Sequence, residues 1–360
     1  MAITLTGFAQ ALIMNISAIA SVNDPQLKLT PTGFLKMLLA NNASTQINNL
    51  AALRNGQEKT IKLRYLQRGL ESEVSDQDDC DTPLGATWKE TEIKHPLYSK
   101  IGIFISDDDF SKYQDEAVTT LSTGSPSATM MRGLYEVLLS KLIGLIGKID
   151  DNLIAAQAAK WGGNAAYATA VGTNPTAAQT ITLGTTASLD GGIVKLQEDA
   201  LINEINDKLL ICGNGLVTRY DIYNRAKNGV DNNGFGKLLM EAYYDPRTIS
   251  KWGKDFFGAF AKGTIGFVDF NKYVGAYAGE KGGSLFFTLP IPVDIDGQLS
   301  SISFDCQLKY NDCPTEDHPR GWQLIVGKTY GLFNLPNDSF ASTDVLNGVN
   351  GSFLYKAVAG

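Results

Sequence analysis

Histidine is nearly absent: His95 and His318 are the only two in 360 residues, and each stands immediately before a proline. Imidazole is the side chain poised to move protons near neutral pH, but it catalyses only beside placed partners. Neither histidine adjoins a nucleophile pattern. The chain also has no G-x-S-x-G elbow, no H-E-x-x-H and no Walker P-loop, which removes the usual signals of serine hydrolases, zinc proteases and nucleotide hydrolysis. No apolar run approaches the roughly 18 residues that a membrane-spanning helix needs.

Cysteine is scarce. Cys80, Cys212, Cys306 and Cys313 are spread too widely for a disulfide framework, so reduced thiols are the expectation. Basic charge is also short, with 31 Lys and Arg against 38 Asp and Glu and a net charge of −7, which argues against a broad phosphate-gripping face. The stretch 7–20 imitates a secretory signal, but no Lys or Arg precedes Lys28. It reads instead as an amphipathic N-terminal arm.

Three weaker chemical patterns also fall short. Gly213-x-Gly215 follows an apolar run, as a dinucleotide fingerprint does, but Thr218 occupies the third glycine's place and leaves a plain strand-to-helix turn. Asp76, Asp78, Asp79 and Asp81 lack the Gly and Glu of an EF-hand loop and read as a solvated hairpin tip. Cys306, Cys313 and His318 offer three zinc donors at a spacing that matches neither finger nor ribbon. No cofactor, metal site or catalytic residue is therefore assigned.

What is present is a folding chain, 44% hydrophobic and 19% charged, and long enough for two lobes. Residues 1–55 alternate apolar clusters with Asn-rich turns, suggesting short helices. At 60–68, Ile61, Leu63 and Tyr65 alternate with Lys62 and Arg64, the period of a strand. A second strand at 87–94 carries Glu90 and Glu92, making a long charged hairpin. Lys62 and Arg64 can pair with Glu90 and Glu92 across the ribbon or across a boundary to another chain. An isolated two-stranded ribbon is only marginally stable in water, so this one is expected to lie against a neighbour.

Next comes a β-branched strand at 99–106, and Asp107, Asp108 and Asp109 suit a helix start. Over 128–161, Met131, Leu134, Leu138, Leu142, Leu145, Ile149 and Leu153 recur at steps of three and four. A helix of that extent is on the order of 50 Å long at ~1.5 Å per residue. Gly133, Gly144 and Gly147 within it allow a bend or a closely packed neighbour. Residues 165–190 read as loop with weak strand character. Helices are expected over 192–206 and 216–227 around a buried strand at 209–212, with an exposed loop at 228–236. Strands follow at 265–270, 285–293, 301–308 and 322–333.

This order resembles the tailed-bacteriophage major capsid proteins of the Johnson fold, shared with encapsulins. The likeness is carried by 88–110 (WKETEIKHPLYSKIGIFISDDDF), by 142–164 (LIGLIGKIDDNLIAAQAAKWGGN), by 209–226 (LLICGNGLVTRYDIYNRA) and by 327–340. In the second segment Asp150 and Asp151 stand at the family's acidic pair, and Gly162 and Gly163 at its glycine-rich stop.

The resemblance implies an α+β Johnson-fold subunit. Its parts would be an N-terminal arm (1–57), an extended β-hairpin or E-loop (58–98), a peripheral domain with a long spine helix (99–190), an α/β axial domain (191–298) and returning peripheral strands with the C-terminus (299–360). It implies a non-enzymatic shell subunit, assembled in the host bacterial cytoplasm, with many copies as hexamers and pentamers enclosing double-stranded DNA without sequence-specific contacts. Portal, scaffold and decoration proteins would be further partners, and the location is the virion, with no membrane. Lys62, Arg64, Arg68, Glu90 and Glu92 are the candidate inter-subunit contacts. The alternatives are an encapsulin-type compartment shell and an α/β nucleotide-binding enzyme using the 213–215 turn.

Overall fold

The computed structural model describes residues 4–21, 28–41, 60–66, 88–94, 97–124, 130–161, 179–182, 196, 209–214, 240–295, 298–312, 320–334 and 352–358. In chain order the elements are α1 (Leu5–Ser21), α2 (Gly33–Asn41), β1 (Thr60–Leu66), β2 (Trp88–Lys94), β3 (Leu97–Ile105), α3 (Asp107–Thr123) and α4 (Met130–Lys160). There follow β4 (Gln179–Thr182), β5 (Leu209–Gly213), β6 (Met240–Tyr244), the single turn α5 (Thr248–Lys251), β7 (Phe256–Ala261) and β8 (Ile265–Phe270). The chain closes with β9 (Gly279–Lys281), β10 (Ser284–Ile295), β11 (Gln298–Asn311), β12 (Gly321–Asn334) and β13 (Ser352–Val358). This is a mixed α and β architecture in two compact units. One gathers Met1–Pro31, Leu97–Ile149 and Asp269–Tyr330; the other gathers Thr32–Pro96, Asp150–Val268 and Gly331–Gly360.

The first unit is built on an antiparallel sheet ordered β3-β12-β11-β10-β9. β11 follows the expected alternation: Ile302, Phe304, Cys306 and Leu308 are buried, while Ser303 and Gln307 are half-buried. Asp305 breaks the pattern by being buried as well. α1 packs on α3 and β10. Phe8 meets Phe110 with ring centroids 5.1 Å apart, and Phe110 in turn stacks on Trp322 at 4.1 Å. α3 begins as its sequence asks. Ser106 Oγ accepts the Asp109 N–H at 3.1 Å, and Asp107, Asp108 and Asp109 lie in the positive first turn of the helix dipole. It ends on Gly124 at φ 66°.

The stripe expected along α4 is buried at Leu134, Leu138, Leu142, Leu145, Ile149 and Leu153. Among the described residues, a Cβ built on Gly133 or Gly144 would touch nothing within 4 Å. The boundary between the two units falls within α4, between Ile149 and Asp150.

The second unit holds a sheet ordered β4-β13-β7-β5-β6. β5 runs parallel to β6 and antiparallel to β7. β6, β7 and β13 were not anticipated from the sequence. β7 reads FFGAFA without alternation and is buried from Phe257 to Ala261, so no period-2 signal exists to find. Against this unit's core, Phe34 of α2 meets Trp252 edge-on at 5.5 Å, and Trp161 stacks on Phe260 at 5.7 Å. Of the helix expected over 192–206, only Leu196 is described, and it is helical and buried. The helix expected over 216–227, the loop at 228–236 and the acidic hairpin tip lie outside the described residues.

Candidate functional site

β1 and β2 form a two-stranded sheet of their own, antiparallel and in full register from Thr60 opposite Lys94 to Leu66 opposite Trp88. That register places Lys62 opposite Glu92 and Arg64 opposite Glu90. Both glutamates are exposed. Opposite charges directly across an antiparallel pair stabilise it by roughly 0.2–1 kcal/mol each. Four of the five candidate contact residues are thus brought to facing positions on one ribbon. Arg68 lies outside the described residues.

The weak chemical patterns resolve differently. Gly213 is required by packing: its φ is 143°, and a Cβ there would stand 2.8 Å from Phe257 Cα in the neighbouring strand β7. Gly215, Thr218, Cys80, Cys313, His95 and His318 lie outside the described residues. Cys212 and Cys306 are free, fully buried thiols, and burial pushes both well up, leaving them protonated and unreactive. Among the described residues no group of His, Cys, Asp and Glu is placed to hold a metal ion, and no helix is long and apolar enough to cross a membrane.

Two buried ionic clusters were not foreseen. In the second unit, Asp150 of α4 and Asp245 after β6 are 1% and 0% exposed. Asp150 accepts the Leu35 N–H at 2.8 Å and Arg247 Nη1 at 2.7 Å. Asp245 accepts the Phe34 N–H and the Arg247 N–H, each at 2.9 Å. Two carboxyls therefore satisfy two of the first-turn N–H groups of α2, those of Phe34 and Leu35, which have no partner within the helix. Burial, and then the hydrogen bond and charge of Asp245, push the Asp150 carboxyl up; the Leu35 N–H and Arg247 pull the other way. The sequence did carry a signal, since Asp150 lies between Ile149 and Leu153 of the apolar stripe.

In the first unit, Lys328 of β12 is fully buried and donates to Asp269 Oδ2 at 2.7 Å, to Asn271 Oδ1 at 3.0 Å and to the Ser303 carbonyl. Burial lowers its ammonium and Asp269 opposes the shift. Nearby Asp305 Oδ1 accepts the N–H groups of Lys272 and Tyr273 at 2.8 and 3.2 Å. Here too the signal was positional: Lys328 takes an inward place in the alternation Leu324, Val326, Lys328, Tyr330. Lys328 has all its donated bonds within the first-unit cluster, whereas the other oxygen of Asp305, Oδ2, is buried without a hydrogen-bond partner.

No protein-family model and no curated protein matches the chain. Solved structures do. The cyanophage A-1(L) capsid asymmetric unit is 14% identical, with 94% of this chain and 96% of that one covered and a TM-score of 0.44. The capsid of Ralstonia phage GP4 is 9% identical, with 94% and 93% covered and a TM-score of 0.43. The capsid structure of the cyanophage P-SCSP1u is 12% identical, with 92% and 90% covered and a TM-score of 0.39.

Proposed function

We propose that the chain is the major capsid protein of a tailed bacteriophage, a Johnson-fold subunit that self-assembles as hexamers and pentamers into an icosahedral shell around double-stranded DNA. The observation that carries this reading is the β1–β2 ribbon, a two-stranded sheet joined to no other strand among the described residues. Two strands alone bury too little surface to be stable in water, and a neighbouring subunit supplies the missing face. The ribbon serves as the E-loop, with Lys62, Arg64, Arg68, Glu90 and Glu92 as contacts to the adjacent copy. Residues 1–57 act as the arm and α4 as the spine of the peripheral domain. The α/β region at 191–298 serves as the axial domain around the symmetry axes.

The acidic balance of 38 Asp and Glu over 31 Lys and Arg suits a container that encloses DNA without gripping it. Portal, scaffold and decoration proteins are the further partners of such a shell, the host cytoplasm is the place of assembly, and the role is structural rather than enzymatic. Sedimentation velocity of the purified chain over a range of salt and pH tests the reading. Capsomers or larger closed particles are expected, and a monomer under every condition would overturn it.

A further inference from the structure

The second unit buries two carboxyls, Asp150 and Asp245; the Arg247 guanidinium, 39% exposed, pairs with Asp150, and the Arg247 N–H donates to Asp245. With both carboxyls ionised the group holds a net negative charge away from water, an arrangement that buried sites avoid. One proton removes the excess and supplies the hydrogen bond that joins the two carboxyls. The same two carboxyls receive the Phe34 and Leu35 N–H groups at the start of α2. The approach is tight. Gly33 sits at φ 64°, and a Cβ on it would overlap Asp245 Oδ2.

Among the described residues, β6, which packs on α2 and leads into Asp245, carries Glu241, Tyr243 and Tyr244. β5 presents Cys212, whose fully buried thiol is pushed up first by burial and then by both carboxylates. α2 carries Lys36 as its single charged side chain, half-buried one position beyond the anchored turn. α4 adds Asp151, half-buried beside Asp150. Among the described residues, Asp245 and Arg247 are the charges that bear on Asp150.

We propose that Asp150, buried beside Asp245 at the start of α2, binds a proton in the folded chain, and that losing this proton frees the first turn of α2 from its anchor. Protonated, the carboxylic acid, the carboxylate and the guanidinium sum to zero charge. When the proton leaves to water, two buried carboxylates remain beside a single cation that pairs with only one of them, and the N–H anchors are strained by their repulsion. The sign follows from linkage. A carboxyl whose folded titration lies above its unfolded one stabilises fully below the ordinary carboxylate range, and that stabilisation is lost as pH rises through the folded value. Burial raises Asp150 in this sense. The site is independent of the capsid reading and stands or falls separately from it.

Hydrogen exchange on the full chain tests this, read on peptides covering Gly33–Asn41 over a pH series and corrected for intrinsic exchange. Opening that releases one proton lowers the wild-type protection factor about tenfold per pH unit within the window. Asp245→Asn and Asp150→Asn each keep an acceptor oxygen for the α2 N–H groups but carry no charge there. In both, protection is expected to be independent of pH and higher than wild type at the alkaline end. Asp305→Asn, in the other unit, is expected to keep the wild-type slope. A flat wild-type profile overturns the proposal by itself, as does a slope that persists in both Asn variants. Should neither of those variants fold, the wild-type profile beside Asp305→Asn decides: a slope in both supports the site, and a flat one overturns it.

Discussion

The ammonium of Lys328, fully buried, donates to Asp269 Oδ2 at 2.7 Å, and Asp269 remains 40% exposed. One end of this pair is thus sealed in the sheet while the other reaches water. Removing the cation leaves Asp269 free to hydrate, but it also leaves the Ser303 carbonyl and the Asn271 amide oxygen without their donor.

Lys328→Ala is therefore expected to destabilise the first unit by about 2–5 kcal/mol, from the cavity left in the sheet and the acceptors left without a donor. Lys328→Met, which fills the same volume without a charge, is expected to cost less. Urea unfolding of the two variants checks the order. Equal losses would place the effect in the lost ammonium donor rather than in packing.

Phe34 anchors α2 in the second unit, 5.5 Å from Trp252 and 5.8 Å from Phe260. It is fully buried. Phe34→Ala is expected to cost about 3–5 kcal/mol by leaving a cavity that backbone of this kind cannot fully close. Because Trp252 Nε1 is held by the Ile154 carbonyl at 3.1 Å, the indole is fixed, and its fluorescence is expected to shift to the red as water enters. An unshifted spectrum with unchanged stability would contradict the packing described.

The ribbon supplies a prediction that separates folding from assembly. Glu90 and Glu92 are exposed and stand opposite Arg64 and Lys62. Reversing both with Glu90→Lys and Glu92→Lys sets like charges face to face and alters whatever surface the ribbon meets. The thermal midpoint is expected to stay close to wild type, since the ribbon forms a sheet separate from both unit sheets. The assembled fraction is expected to fall strongly in light scattering. Unaltered assembly would remove the ribbon from the contact.

Much of the fold was legible where one face of an element is wet. The stripe from Leu134 to Leu153 and the alternation in β11 report helix and strand directly because water selects the opposite face. β7 and β13 were not legible: β7 is buried from Phe257 to Ala261 and β13 from Ser352 to Tyr355, so both lack that contrast there, and β13 finds its partners β4 and β7 far away in sequence. The ribbon register was legible in part, since the alternating charges of β1 and β2 mark the strands but not which residues face. The buried clusters were hidden for a different reason. Asp150 and Arg247 are 97 residues apart, and only the fold makes them neighbours. A charged residue inside an apolar stripe, as at Asp150, or at an inward strand position, as at Lys328, is the trace such clusters leave.

Negative-stain electron microscopy of the purified full chain tests the central claim most directly, because a shell subunit builds shells from itself. Closed, uniform particles or ring-shaped capsomers are the expected result across a series of salt and pH conditions. A field of uniform single subunits under all of them would contradict it.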